Sequence, residues 1–153
     1  MLDHPEAFGQ AVDEALAMSV DEYAQRLRDG RLTGRSFVLG AFVDGRIVGM
    51  VACVHDQGRK VQHKARIWGM YVAAEERGRG IARVLLAETI ARAREWPEVE
   101  QVRLTVVTEN LAARRLYESF GFAAYGLERC ALKLGSRYLD EEYLVLTLKE
   151  PIC

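Results

Sequence analysis

Arg77, Gly78, Arg79 and Gly80 stand where a hydrophobic helical pattern begins, and Arg83 follows one turn later. The first turn of a helix carries backbone N–H groups without intrahelical acceptors, and the positive end of the helix dipole. Glycines have no Cβ, so a ligand can approach that backbone closely. Such a stretch can bind a phosphate or a diphosphate. The plainer alternative is a glycine turn with solvated arginines. A P-loop would need Gly-Lys-Ser/Thr, whereas Ile81 and Ala82 follow Gly80. A dinucleotide fingerprint would need Gly or Ala where Arg83 stands, and an acid closing the next strand. Glu98 and Glu100 precede that strand instead.

Other reactive types have structural roles to hand. Tyr117 shares an apolar helix face with Ala113, Leu116 and Phe120, where a tyrosine is ordinarily core. Asn110 stands at a helix start, and Asn is among the best N-caps. Cys53 lies in an apolar strand pattern and fits buried core better than a nucleophile. Cys53, Cys130 and Cys153 have no metal-like spacing, which fits reduced thiols in a cytoplasmic protein.

Positioning these residues takes a series of elements. Residues 4–18 read as a weak helix, and Ser19 to Glu22 as a capping box opening a helix to about Arg28. Phe37–Val43 and Arg46–Val54 read as a hairpin turning at Asp44-Gly45. Val61–Val72 reads as a strand with a bulge at Gly69. A helix from Gly80 to Trp96 buries Ala82, Leu85, Leu86, Thr89, Ile90 and Ala93, and Pro97 ends it. Gln101–Val107 is a buried strand, and Asn110–Phe120 a helix closed by Gly121. Arg129–Leu134 and Glu142–Leu148 read as strands around a polar loop. The order implies a mixed α/β domain, one domain over residues 1–153.

Bulk properties narrow the function. The 153 residues are 50 % hydrophobic, enough for a core of their own. A net charge of −1 argues against a nucleic-acid partner. No apolar run approaches a membrane span, and the N-terminus lacks the basic and apolar regions of a signal peptide.

Arg77-Gly78-Arg79-Gly80-Ile81-Ala82 resembles the (Gln/Arg)-x-x-Gly-x-(Gly/Ala) acyl-CoA loop of the GNAT N-acetyltransferases. Asn110 to Phe122, NLAARRLYESFGF, resembles the same family's N-x-x-A-x-x-L-Y-x-x-x-G-F segment. Two such motifs in order, with a buried strand between, make a specific resemblance that covers about Phe37 to Leu148. It implies acetyl-CoA as co-substrate, no metal, and direct acyl transfer to a primary amine of a small molecule or peptide through a ternary complex. The backbone of Arg77, Gly78, Arg79, Gly80, Ile81 and Ala82 would hold the CoA diphosphate. Met70-Tyr71-Val72 would splay away from Gln101–Val107, and pantetheine would lie in the gap on the main chain of Met70 and Val72. Asn110 would reach it from the following helix, which also carries Ala113. Tyr117 would sit beside the sulfur and return a proton to the leaving thiolate.

The acceptor side is less defined. A lysine-like amine is neutral in roughly one molecule in 2,500 at pH 7, a cost of about 4.6 kcal/mol. Some family members carry a Glu on the strand before the loop; Ala65-Arg66-Ile67-Trp68 has no acid. His63, Glu128 and Asp140 are candidate bases, and a water chain needs none. Trp68, Tyr71, Tyr125, Glu128 and Tyr138 are candidate pocket residues, whereas Asp140-Glu141-Glu142 reads as a solvated turn. The chain also departs from the family at its start. Pro5 to Gly9 looks like a piece that normally follows the first helix, so the expected fold is a GNAT-like acyl-CoA transferase lacking its first strand. Its open sheet edge would be frayed or covered by a second copy, as in a homodimer. A non-catalytic, regulatory acyl-CoA-binding module is the alternative function.

Overall fold

The computed structural model describes residues 34–149. The two helices expected before Gly30, and the question of a missing first strand, fall outside them. Six strands and two α-helices follow: β1 (Ser36–Val43), β2 (Arg46–His55), β3 (Lys64–Val72), α1 (Ile81–Arg94), β4 (Gln101–Val107), α2 (Leu111–Ser119), β5 (Ala123–Leu134) and β6 (Arg137–Thr147). A single 3-10 turn, Ala74–Glu76, separates β3 from the arginine–glycine loop. The strands form one mixed sheet in the order β1-β2-β3-β4-β6-β5. The fold class is thus α/β with a mixed sheet, as expected.

β1 and β2 turn at Asp44 and Gly45, with φ of 50° and 75°, the left-handed pair that a two-residue hairpin favours. Gly69 has φ of 65°, and the β2–β3 register slips beside it, from Met50↔Tyr71 to Ala52↔Trp68. That is the expected bulge. Among the described residues the only parallel pair, β3 with β4, is held by Lys64↔Gln101, Ala65↔Val102 and Arg66↔Arg103. Beyond Arg66 the two strands part, which opens the sheet toward the ends of β3 and β4.

α1 buries Leu85, Leu86, Thr89, Ile90 and Ala93 against the sheet, and the Thr89 hydroxyl donates to Leu85 O at 2.7 Å. The helix stops at Arg94, two residues short of Trp96, because Pro97 biases the residue before it away from helical angles. The Trp96 ring stacks on buried His55 at 5.3 Å, and its Nε1 donates to Gly34 O. Val51, Cys53, Ile67, Val102, Leu104, Leu144 and Leu146 complete the core beneath α1 and α2.

Two expectations at the C-terminal hairpin are corrected. β5 begins at Ala123, not Arg129, and β6 at Arg137, not Glu142; only Gly135 and Ser136 lie between them. Asp140-Glu141-Glu142 is therefore inside a strand and is not a solvated turn. Register shifts between Ala124 and Gly126, and between Glu128 and Leu132, break the period-two pattern that would have revealed β5. Asp140 serves the second bulge: its Oδ1 accepts the N–H of Cys130, whose φ is 56°.

Cys53 is fully buried, and burial pushes its thiol up to about 12. Cys130 is exposed. Iodoacetamide at pH 8 is expected to modify Cys130 in the folded protein and Cys53 only after unfolding. Peptide mass mapping reads this out, and equal labelling of the two would contradict the buried placement of Cys53.

Candidate active site

The parting of β3 from β4 leaves a cavity of about 730 Å³ that runs between α1 and α2. One end is the start of α1. Gly80 is its N-cap with φ of 81°, and Gly78 has φ of 74°. A Cβ built on either glycine meets nothing within 4 Å, so the loop faces open space. Gly80 offers no capping side chain, and the first helical bond is from Val84 N to Gly80 O. The preceding donors, at Ile81, Ala82 and Arg83, are left for a ligand. Gly78, Gly80, Ile81, Ala82 and Arg83 all line the cavity.

The arginines divide their work. Arg83 Nη2 donates to Ser119 Oγ at 3.1 Å, and its guanidinium lies 5.3 Å from the Phe120 ring centroid. It thereby ties the start of α1 to the end of α2. Arg77 lines the cavity and its Nε donates to Val72 O at 3.0 Å. Arg79 turns toward the Glu76 carboxylate and is not part of the cavity wall. Glu76 lines the wall at 7 % exposure and also meets Arg46 at 3.9 Å. The sequence reading missed this acid. Its carboxylate offsets part of the loop's positive charge, so Arg79 contributes less to any anion site than its position suggests.

Met70, Tyr71 and Val72 form the wall on the β3 side, with Val107, Asn110 and Ala113 opposite. Asn110 Oδ1 accepts the Ala113 N–H at 3.1 Å, the N-cap role. An amide has two ends, so capping leaves its NH2 as a donor for a ligand. The two readings of Asn110 are therefore compatible.

Tyr117 is 6 % exposed and lines the same cavity. Its position follows from how α2 ends. Gly121, at φ of 90°, lets Phe122 N donate to Tyr117 O and Gly121 N to Glu118 O. This is a Schellman closure, which brings the residue after the glycine onto the helix's last turn. The Phe122 ring accordingly packs edge-on against Tyr117 at 5.8 Å. The Tyr-x-x-x-Gly-Phe spacing thus holds the tyrosine in place. Burial pushes its hydroxyl up to about 12, so it is protonated throughout the neutral range.

Trp68 and Glu128 do not belong to the cavity wall. Trp68 is 43 % exposed and pairs across the strands with Ala52. Glu128 is a strand residue opposite Glu141, and its carboxylate accepts the Tyr143 hydroxyl, which raises the tyrosine's affinity for its proton. Burial, then the Glu128 charge, raises Glu141. Glu142 pairs with Arg114 at 2.8 Å. The wall also holds Glu109, Leu134, Arg137 and Leu139, none of which the sequence reading singled out. The last three arrive through the β5–β6 hairpin, whose register the bulges conceal. Among the described residues no cluster of metal-ligating side chains occurs, and no helix is long and apolar enough to cross a membrane.

This architecture has known relatives. An L-amino acid N-acetyltransferase from Escherichia coli is 32 % identical over 107 residues, 69 % of this chain and 65 % of that protein. The chain thus spans a little under two thirds of that relative's length. A ribosomal-protein-alanine N-acetyltransferase structure from Brucella melitensis superposes with a TM-score of 0.81 at 27 % identity, over 95 % of this chain and 88 % of that one. An acetyltransferase from Salmonella typhimurium, solved with acetyl-CoA, shares the fold with a TM-score of 0.79 at 22 % identity, over 89 % and 78 % of the two chains. The acetyltransferase (GNAT) family model matches residues 4–122. With that match spanning most of its length, the chain belongs to the GNAT acetyltransferase family.

Proposed function

We propose that this protein is an acetyl-CoA-dependent N-acetyltransferase that passes the acetyl group directly to a primary amine in a ternary complex. The observation that carries this reading is the single cavity that joins the open N-terminus of α1, the β3–β4 gap and Tyr117. One domain is enough for the reaction. The loop N–H groups from Gly78 to Ala82 would take the diphosphate, with Arg77 and Arg83 adding charge. Met70, Tyr71, Val72, Asn110 and Ala113 would flank the pantetheine arm.

The chemistry then needs few side chains. The ammonium loses one proton to solvent or a water chain, and its nitrogen lone pair forms the new N–C bond. The C–S bond breaks as Tyr117 gives its proton to the thiolate, and the second nitrogen proton passes through water to the tyrosinate and restores Tyr117. Atoms and charge balance as amine plus thioester giving amide plus thiol. Burial keeps Tyr117 protonated, so a proton is present for the thiolate, although the same burial makes it a weaker acid than a free tyrosine. A cytoplasmic setting belongs to the same proposal, because an exposed thiol such as Cys130 persists in a reducing compartment.

Calorimetry with acetyl-CoA, CoA, ATP and NAD tests the cofactor. Acetyl-CoA and CoA are expected to bind at least about tenfold more tightly than ATP or NAD, because only they carry both diphosphate and pantetheine. An acceptor panel with thiol detection follows. L-amino acids head it, since one relative acts on them. No binding of acetyl-CoA would remove the reading, and binding without turnover on any amine would leave a non-catalytic acyl-CoA binder.

A further inference from the structure

Two oppositely charged side chains meet across the cavity, and neither belongs to the loop at α1. Glu109 immediately precedes Asn110, and Arg137 opens β6 just past the hairpin turn. Both line the cavity, and Arg137 Nη2 donates to Glu109 Oε2. Their side chains are 61 % and 58 % exposed. Water screens such a pair, so it contributes little to the fold and a ligand can open it. Glu76, also on the wall, differs, because its carboxylate is buried and paired with Arg79 and Arg46.

Beside the exposed pair lie Leu134 and Leu139, and Leu134 is 42 % exposed. One anion, one cation and an apolar wall are the complement of a particular ligand. In an α-amino acid the ammonium and carboxylate stand on one carbon. Two groups already in mutual contact are therefore spaced to grip both. A diamine would place a second cation against Arg137, and a simple alkylamine would leave Arg137 without a partner.

We propose that Glu109 and Arg137 bind the acceptor, and that the acceptor is an α-amino acid with an apolar side chain. Arg137 takes the carboxylate, Glu109 the ammonium, and Leu134 and Leu139 the side chain, in place of the Glu109–Arg137 ion pair. This rests on the transferase reading and names the substrate class of that site. Acetylation removes the ammonium charge, so the product loses its hold on Glu109. The original pair can then re-form, which favours release.

The test compares leucine, leucinamide and 3-methylbutylamine as acceptors, with thiol detection. Leucine is expected to exceed both analogues at least about tenfold in kcat/KM, because each lacks the carboxylate. Arg137→Ala should raise the leucine KM about 10- to 100-fold, with kcat and the acetyl-CoA KM within about threefold and leucinamide unaffected. Arg137→Lys should recover part of the loss. Both positions are exposed, so the variants should fold, and a melting curve checks it. Equal use of leucine and leucinamide, or an Arg137→Ala effect that falls on acetyl-CoA, overturns the proposal. If no amine turns over, leucine is titrated by calorimetry into the CoA complex. Binding that Arg137→Ala abolishes sustains the amino-acid site while the transferase reading fails, and absence of binding overturns the site.

Discussion

Tyr117→Phe is expected to lower kcat about 100-fold while acetyl-CoA affinity stays within a few-fold. The ring carries the packing, and the hydroxyl would carry the proposed chemistry. Phe keeps the edge contact with Phe122 and the Schellman closure, neither of which uses the oxygen. What the variant would lose is the proton proposed for the leaving thiolate. Single-turnover kinetics with saturating acetyl-CoA measure this, and an unchanged chemical step would remove Tyr117 from the mechanism. The pH dependence gives a second reading. Burial pushes the folded hydroxyl up to about 12, from about 10 for a free tyrosine. A raised folded value means that stability from neutral Tyr117 is fully present below pH 10 and is lost as pH climbs through 12. The two-unit gap is worth about 3 kcal/mol. Alkaline unfolding across that window should therefore be shallower in Tyr117→Phe than in the parent.

Gly80→Asp is expected to weaken acetyl-CoA binding about 100-fold with the protein still folded. Gly80 is an N-cap at φ of 81°, and the space around its missing Cβ is empty. Asp and Asn visit left-handed angles more readily than other side chains, and both are strong N-caps. The fold should therefore tolerate either one. The aspartate, however, sets a negative charge where the diphosphate would lie. A unit charge about 4 Å from another is worth on the order of 4 kcal/mol in a partly screened surface site, which is enough for the stated loss. Gly80→Asn separates charge from bulk, since it has the same shape and should bind several-fold more tightly than the aspartate variant. Calorimetry and a melting curve together decide the matter. If the two variants bind acetyl-CoA equally well, the anion does not sit at the start of α1.

How much of this could be read in advance depended on the range of the interactions. The two motifs are local. Gly80 needs a left-handed angle where a helix starts, and Gly121 needs one where a helix ends. A glycine at a helix boundary announces both in the sequence. Gln101–Val107 was legible to the residue because Val102, Leu104 and Val106 alternate as buried apolar positions in a β-branched-rich stretch. The C-terminal hairpin was not. Two register irregularities in β5, one held by the Asp140 carboxylate ten residues away, erase the alternation that marks a strand.

Sequence alone thus determined the elements around the loop, the order of the two motifs and the class of ligand they suit. The elements follow from backbone angles and periodicity within a dozen residues, and the ligand class from the two motifs' resemblance to the family. Tertiary structure decided the rest. It turned Arg79 toward buried Glu76, and it joined the Asn110 cap to the cavity wall. It left Trp68 and Glu128 outside that wall, and it brought Arg137 across 28 residues to Glu109. Each outcome depends on which strands pair and where they part. Pairing is fixed by the burial of whole sheet faces, and no single segment carries that information.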